Sequence, residues 1–218
     1  MDALGRELTV GEASYVVERP AAAINRAVDR GLIEADREPR PGKPDGGGVL
    51  RKLGPAELRY LLVEGDLEDD LTPSARRRVY EALRGLPEGE HQVRVGQRLA
   101  LELADVDARI AARLAQLEAA KAHVEEDGAE PVLRGTDGVP VHLVAALATG
   151  QGVDATLEDH PGLTRAQVEA AAEYARAYPK SGRPFPARSF KRMLGGLADL
   201  GAFDPDGAEG EEGTGPAP

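Results

Sequence analysis

The stretch from Pro131 to Pro184 leaves the backbone fewer choices than any other part of this sequence. Val139 to Val141 follows a glycine turn and leads into Leu143, Val144, Leu147 and Ala148, whose three- and four-residue steps put them on one buried helical face. The Thr149-Gly150 pair is expected to end that helix. A short amphipathic helix from Val153 to Glu158 starts behind Asp154 and stops at Pro161-Gly162, neither of which favours continuation. Thr164 then caps a third helix: its hydroxyl can accept the backbone N–H of Gln167, the Gln167 side chain can reach back, and Leu163 can pack on Val168. The pattern predicts three short helices on tight turns, with the last turn at His160 to Leu163.

A trihelical unit of about fifty residues has the size and pattern of homeodomain-like helix-turn-helix modules. The wording RGT then VPV at Arg134 to Val141, followed by LEDHPGLT at Leu157 to Thr164 and ARAYPKSGRP at Ala175 to Pro184, resembles a small bacterial domain of unknown function. In larger proteins it resembles the antitoxin half of VapB/VapC-type toxin–antitoxin modules. Such domains commonly read RGTRIPV. Here Thr136 is followed by Asp137 and Gly138, so a basic position has become acidic and the loop is longer. A simple hairpin covering the helices is the other role open to that loop.

With 218 residues, 41% of them hydrophobic, the chain can supply a core for each of two small domains. It contains no cysteine, which excludes disulfides and thiolate metal sites and fits a reducing cytoplasm. Neither a signal peptide nor a membrane-spanning segment is expected. The net charge of −11 would argue against nucleic acid if it were evenly spread. It is not: residues 1–60 carry 10 basic and 10 acidic groups, 61–130 carry 9 and 16, 131–200 carry 8 and 7, and 201–218 carry 0 and 5. The acid sits in the middle and the tail.

Near the start, Thr9-Val10-Gly11-Glu12 is a capping box opening a helix whose apolar face is Ala13, Val16 and Val17. A second helix follows Pro20, with Ile24, Ala27 and Val28 inward and Gly31 as its end. Two short helices on a tight turn are a helix-turn-helix. LTVGEASYVV and INRAVDRGLI resemble the opening of MerR-like and excisionase-like winged helices, in which the second helix enters the major groove. That resemblance makes the outward residues Asn25, Arg26, Asp29 and Arg30 candidate base readers, because arginine can pair with guanine and asparagine with adenine through two hydrogen bonds each. The turn-rich loop between Ile33 and Val49-Leu50 reads as a hairpin wing. Arg37, Arg40, Lys43, Arg51 and Lys52 lie on or beside it as candidate phosphate contacts. A solvated helix face and a solubilising loop are the alternatives.

In the middle of the chain, helices are expected after Gly54-Pro55 and after Thr72-Pro73. A hairpin broken at Gly96 is expected from His91 to Leu103. A helix from Asp105 to Lys121 carries Val106, Ile110, Leu114 and Leu117 in one stripe, which suits either the core or a dimer seam. His123 to Glu125 can pair as a strand with Pro131 to Leu133.

Beyond the trihelical unit, residues 182–203 form a basic arm with Arg183, Arg188 and Arg192, and with Phe185, Phe190, Met193 and Leu194 among its apolar residues. The arm has too little apolar mass to fold alone and is expected to order on a partner; a helix packed on its own chain is the alternative. The VapB resemblance implies that the partner is a PIN-domain ribonuclease toxin, with a cluster of metal-binding acids in its active site. Arg183, Arg188 and Arg192 are the candidates for pairing with those acids, and Phe185 and Phe190 for anchoring in nearby grooves beside Met193 and Leu194.

The expected fold is mainly α with small β-hairpins. It consists of an N-terminal winged helix-turn-helix over 1–87, a strand pair and linking helix over 88–130, and a trihelical homeodomain-like module over 131–181. The arm over 182–203 and a disordered acidic tail over 204–218 complete it. His91, His123, His142 and His160 share no metal-ligand spacing, and there is neither a phosphate loop nor a nucleophile elbow. The expectation is therefore a non-enzymatic cytoplasmic protein without cofactor or metal, whose partners are operator DNA and a PIN-domain toxin and not a membrane. Paired half-sites suit dimeric readers, so a homodimer is expected. A stand-alone transcription regulator is the alternative.

Overall fold

The fold begins at Thr9, whose hydroxyl accepts the backbone N–H of Glu12 at 3.3 Å while the Glu12 carboxylate accepts the Thr9 N–H at 2.8 Å. This closed capping box starts α1 (Val10–Val16), and α2 (Ala21–Asp29) follows Pro20. The computed structural model describes residues 5–39, 49–67, 70–97, 99–126, 130–189 and 191–194. Arg40, Lys43, Phe190, the outer part of the arm and the acidic tail lie outside the described residues.

Between α1 and α2 the chain turns at Glu18, which has a φ of 53° although it is not glycine. The Ser14 hydroxyl donates to the Arg19 carbonyl at 2.6 Å and holds the turn closed. Past α2, β2 (Asp36–Pro39) and β3 (Val49–Leu53) make the antiparallel wing, with Arg37 opposite Arg51. The two-residue strand β1 (Leu8–Thr9) joins the other edge of β3, giving the order β1-β3-β2. The sequence did not foretell β1, because two residues carry no alternation.

Two helices, α3 (Pro55–Asp66) and α4 (Pro73–Arg84), each start with proline in the first turn. The expected hairpin is β4 (Gln92–Val95) with β5 (Leu99–Glu102), and α5 (Ala104–Lys121) follows it. Val106, Ile110, Leu114 and Leu117 of α5 are all buried against Ile24, Leu53 and Leu58 in the first core, so the stripe is core and not a seam between copies. As expected, β6 (Val124–Glu125) pairs with β7 (Val132–Leu133). Then come α6 (Val141–Gln151), α7 (Val153–Asp159) and α8 (Arg165–Ala177), the last opened by the Thr164–Gln167 box. The molecule is mainly helical with small antiparallel hairpins. Among the described residues, no helix is long and apolar enough to cross a membrane.

One helix end differs from expectation. Instead of stopping at Thr149-Gly150, α6 continues to Gln151 and breaks at Gly152, whose φ is 91°. Gly150 has another purpose: a Cβ there would run into the carbonyl oxygen of Ala187, which crosses the helix at that point.

Two hydrophobic clusters share α5 and α8. Leu117 belongs to the first and Ala120 to the second, while Ala177 at the end of α8 reaches back into the first. Here α1 lies against α8 so closely that a Cβ on Gly11 would collide with the Ala177 carbonyl oxygen. Two tyrosines bolt the contact: Tyr15 donates to Glu173 at 2.9 Å and Tyr178 donates to Glu12 at 2.6 Å. The Arg113 guanidinium sits 3.9 Å from the centre of the Tyr15 ring. Burial pushes the Glu12 carboxyl up, but the bonds from Tyr178 and Thr9 and the charge of Arg6 outweigh it and hold the group below the usual range.

A second polar network lies inside the first core. Arg59, 8% exposed, donates through Nε and Nη2 to the two oxygens of Asp107, 5% exposed, at 2.7 and 2.9 Å. His91 Nδ1 lies 2.7 Å from Asp107 Oδ2 and ties the β4 side of the hairpin to α5. Asp107→Ala leaves the arginine charge buried and unpaired, so it should destabilise the fold by roughly 3 kcal/mol, whereas replacing both partners with apolar residues should recover most of that loss in urea denaturation. Gly11→Ala should cost about 1–3 kcal/mol in the same assay, because the α1–α8 seam must open to admit the methyl group.

Candidate nucleic-acid interface and basic strap

Ile24 is the only residue of α2 that is fully buried; it fixes which side of the helix faces outward. The turn before the helix is anchored from below by an ion pair of Arg19 with Glu64 of α3, at 2.5 Å. On the outer side, Arg26 and Arg30 are exposed, and among the described residues their side chains have neither an ion-pair nor a hydrogen-bond partner. Arg37 on β2 is exposed and free in the same sense.

The other candidates are engaged within the chain. Arg51 reaches from β3 onto α2, donating through Nη1 to Asn25 Oδ1 at 2.9 Å and to the Asn25 carbonyl at 3.3 Å. Its Nη2 pairs with Asp29 at 2.6 Å. Lys52 pairs with Glu38 across the wing at 2.7 Å. Arg51 and Lys52, candidate phosphate contacts beside the wing, are thus each paired with a carboxylate of their own chain, Asp29 on α2 and Glu38 on β2. Arg26, Arg30 and Arg37 stay unpaired among the described residues, and the Asn25 Oδ1 atom is taken by Arg51.

The basic arm is ordered on its own module over its described part. From Pro179 the chain forms a strap across α6 and toward α7. Phe185 is half-buried with the Lys180 ammonium 4.5 Å from its ring centre, and it lines an apolar cavity of about 400 Å³ with His142, Ala145, Thr149 and Ala172. Farther on, Asp159 at the end of α7 gathers three donors: Ser189 Oγ at 2.6 Å, Arg192 Nε at 2.9 Å and Gln151 Nε2 at 3.0 Å. Arg192 also pairs with Glu158 at 2.6 Å and donates to the Ala155 carbonyl.

Over its described residues the arm packs on its own chain, the alternative open to it in the sequence, through polar bonds to α6 and α7 and a close approach at Gly150. Arg192, expected to reach toward a partner's acids, is held by acids of its own chain. Arg183 and Arg188 are exposed and free among the described residues, and Met193 and Leu194 are exposed as well.

Residues 127–175 match a family described as "Protein of unknown function (DUF433)". The matched stretch runs through β7, α6 and α7 and most of α8, the trihelical unit read from RGT, VPV and LEDHPGLT. It stops at the start of ARAYPKSGRP and does not take in the strap. No curated protein and no solved structure matches the chain.

The bonds that lock the strap also make it respond to acid. The Ser189 hydroxyl above all, then Gln151 and Arg192 against the opposing effect of burial, hold the Asp159 carboxyl at about 2. Because strap docking lowers this pKa from 3.8, the contribution of Asp159 is fully present above that value and disappears as pH falls through about 2. Asp159→Asn should release the strap at neutral pH, seen as faster amide exchange at Ser189 and Arg192, with little change in exchange across α8.

Proposed function

We propose that the chain is an antitoxin: a protein that acts by binding, reading operator DNA through α2 and the wing and occupying the acidic active site of a PIN-domain ribonuclease with its C-terminal strap. The observation that carries the proposal is the pair of unpartnered cationic sets, Arg26, Arg30 and Arg37 at one end and Arg183 and Arg188 at the other, in a chain whose net charge is −11. Holding exposed like charges without counter-ions is unfavourable for the free protein, and an anionic ligand relieves it. The β1-β3-β2 sheet beside the α1–α2 pair and the DUF433 match over the trihelical unit support the same reading.

The second reading is a stand-alone DNA-binding regulator without a toxin. It is favoured by one observation: Arg192 is already satisfied by Asp159 and Glu158, as in a strap that simply completes its own module. Under the antitoxin reading, those carboxylates hold the strap until a nuclease with a denser acidic cluster takes Arg192 over.

Co-expression separates the two. Deleting residues 182–203 should abolish rescue from a neighbouring PIN-domain nuclease while leaving binding to the DNA upstream of the chain's own reading frame intact; unimpaired rescue would remove the antitoxin reading. For the DNA arm of the proposal, replacing Arg26 and Arg30 together with alanine should weaken that binding by about tenfold or more in a mobility-shift assay. Arg40 and Lys43 changes should mainly lower the steepness of the salt dependence, by about 0.9 per lost phosphate contact.

A further inference from the structure

We propose that Arg51 is a positioning residue that sets the base preference of α2, turning a helix face whose Asn25 could read adenine into one that reads guanine. This rests on the reading of α2 as the recognition helix. Positions 25, 26, 29 and 30 lie together on one side of the helix, at spacings of one, four and five residues. Two of them carry acceptors. A free asparagine amide can match adenine, accepting from N6 and donating to N7, and a free aspartate can accept from the N4 amino group of cytosine.

A single guanidinium takes the Asn25 acceptor and one of the two Asp29 oxygens; Asp29 Oδ2 makes no hydrogen bond among the described residues. Arg51 Nη1 holds Asn25 Oδ1 at 2.9 Å, and Arg51 Nη2 holds Asp29 Oδ1 at 2.6 Å. The bonds are charge-assisted, and the fork spans the i and i+4 positions of α2 from a β3 strand that is itself paired with β2 from Val49 to Lys52. At position 25 the geometry leaves only the amide N–H groups, flanked by the Arg26 and Arg30 guanidinium groups, and all of these are donors. Beside them the amino donor of adenine is disfavoured. Guanine alone offers two adjacent acceptors, N7 and O6, on its major-groove edge.

A second consequence concerns approach to the duplex. The negative charge of Asp29 would oppose phosphate if it stood alone. Paired with Arg51, it no longer cancels the field of Arg26 and Arg30.

The test is selection of full-length protein on a randomised duplex library, read by sequencing. The wild-type chain should enrich guanine at the contacted steps by about tenfold over other bases, and Asn25→Ala should leave that profile nearly unchanged. Arg51→Met should free the Asn25 acceptor and bring in adenine at one contacted position, and adding Asn25→Ala to it should remove that adenine. Arg51→Lys, which keeps the charge but cannot fork, should shift the preference the same way and guards against a variant that merely fails to fold. A wild-type preference for adenine that Asn25→Ala abolishes overturns the proposal, as does an Arg51→Lys profile identical to wild type. Absence of any duplex binding by the wild-type chain overturns the recognition-helix reading itself, and is told apart from the other results because no sequence is then enriched.

Discussion

The seam between α1 and α8 is the constraint on which the rest of the architecture depends. The backbone approach of Gly11 to Ala177 admits no side chain, and two tyrosine hydroxyls reach across the seam to carboxylates. Tyr178 serves both sides: its hydroxyl donates to Glu12 of the winged helix and its backbone carbonyl lies 2.7 Å from His142 Nε2 on α6. With α5 contributing Leu117 to one cluster and Ala120 to the other, the two helical modules cannot turn freely against each other without breaking packed contacts.

Cations divide the surface into a structural and an available part. Arg19, Arg59, Arg84, Arg109 and Arg192 are tied to acids distant in sequence, and each such pair joins separate stretches of the fold. The exposed pairs contribute little to stability, but they decide which guanidinium groups a ligand would meet. On α2 the Arg51 fork takes the acceptors of Asn25 and Asp29, while the donors of Arg26 and Arg30 are left to solvent.

Elements with a chemical signature at their ends were legible in the sequence. The Thr9–Glu12 and Thr164–Gln167 boxes, the prolines opening α3 and α4, the Gly96 hairpin and the β6–β7 pair all form as their local residues require. The Glu18 turn was not legible, since its left-handed backbone is imposed on a residue that does not prefer it, by Ser14 and by the α3 contact of Arg19. Gly150 misled for a related reason. A glycine before a helix break and a glycine under a crossing chain look identical in one dimension.

Local periodicity, caps and turn residues are properties of neighbours along the chain, and from them the kind, number and order of most helices and hairpins followed. Pairing between distant side chains is not such a property. Which arginines are bound by Asp29, Asp107 or Asp159, and which stay open to solvent, depends on distances that exist only once α2 meets the wing, α3 meets α5 and the strap meets α7. Coulomb attraction falls with separation in space, whatever the separation in sequence, so the folded arrangement alone selected the cations left open to solvent.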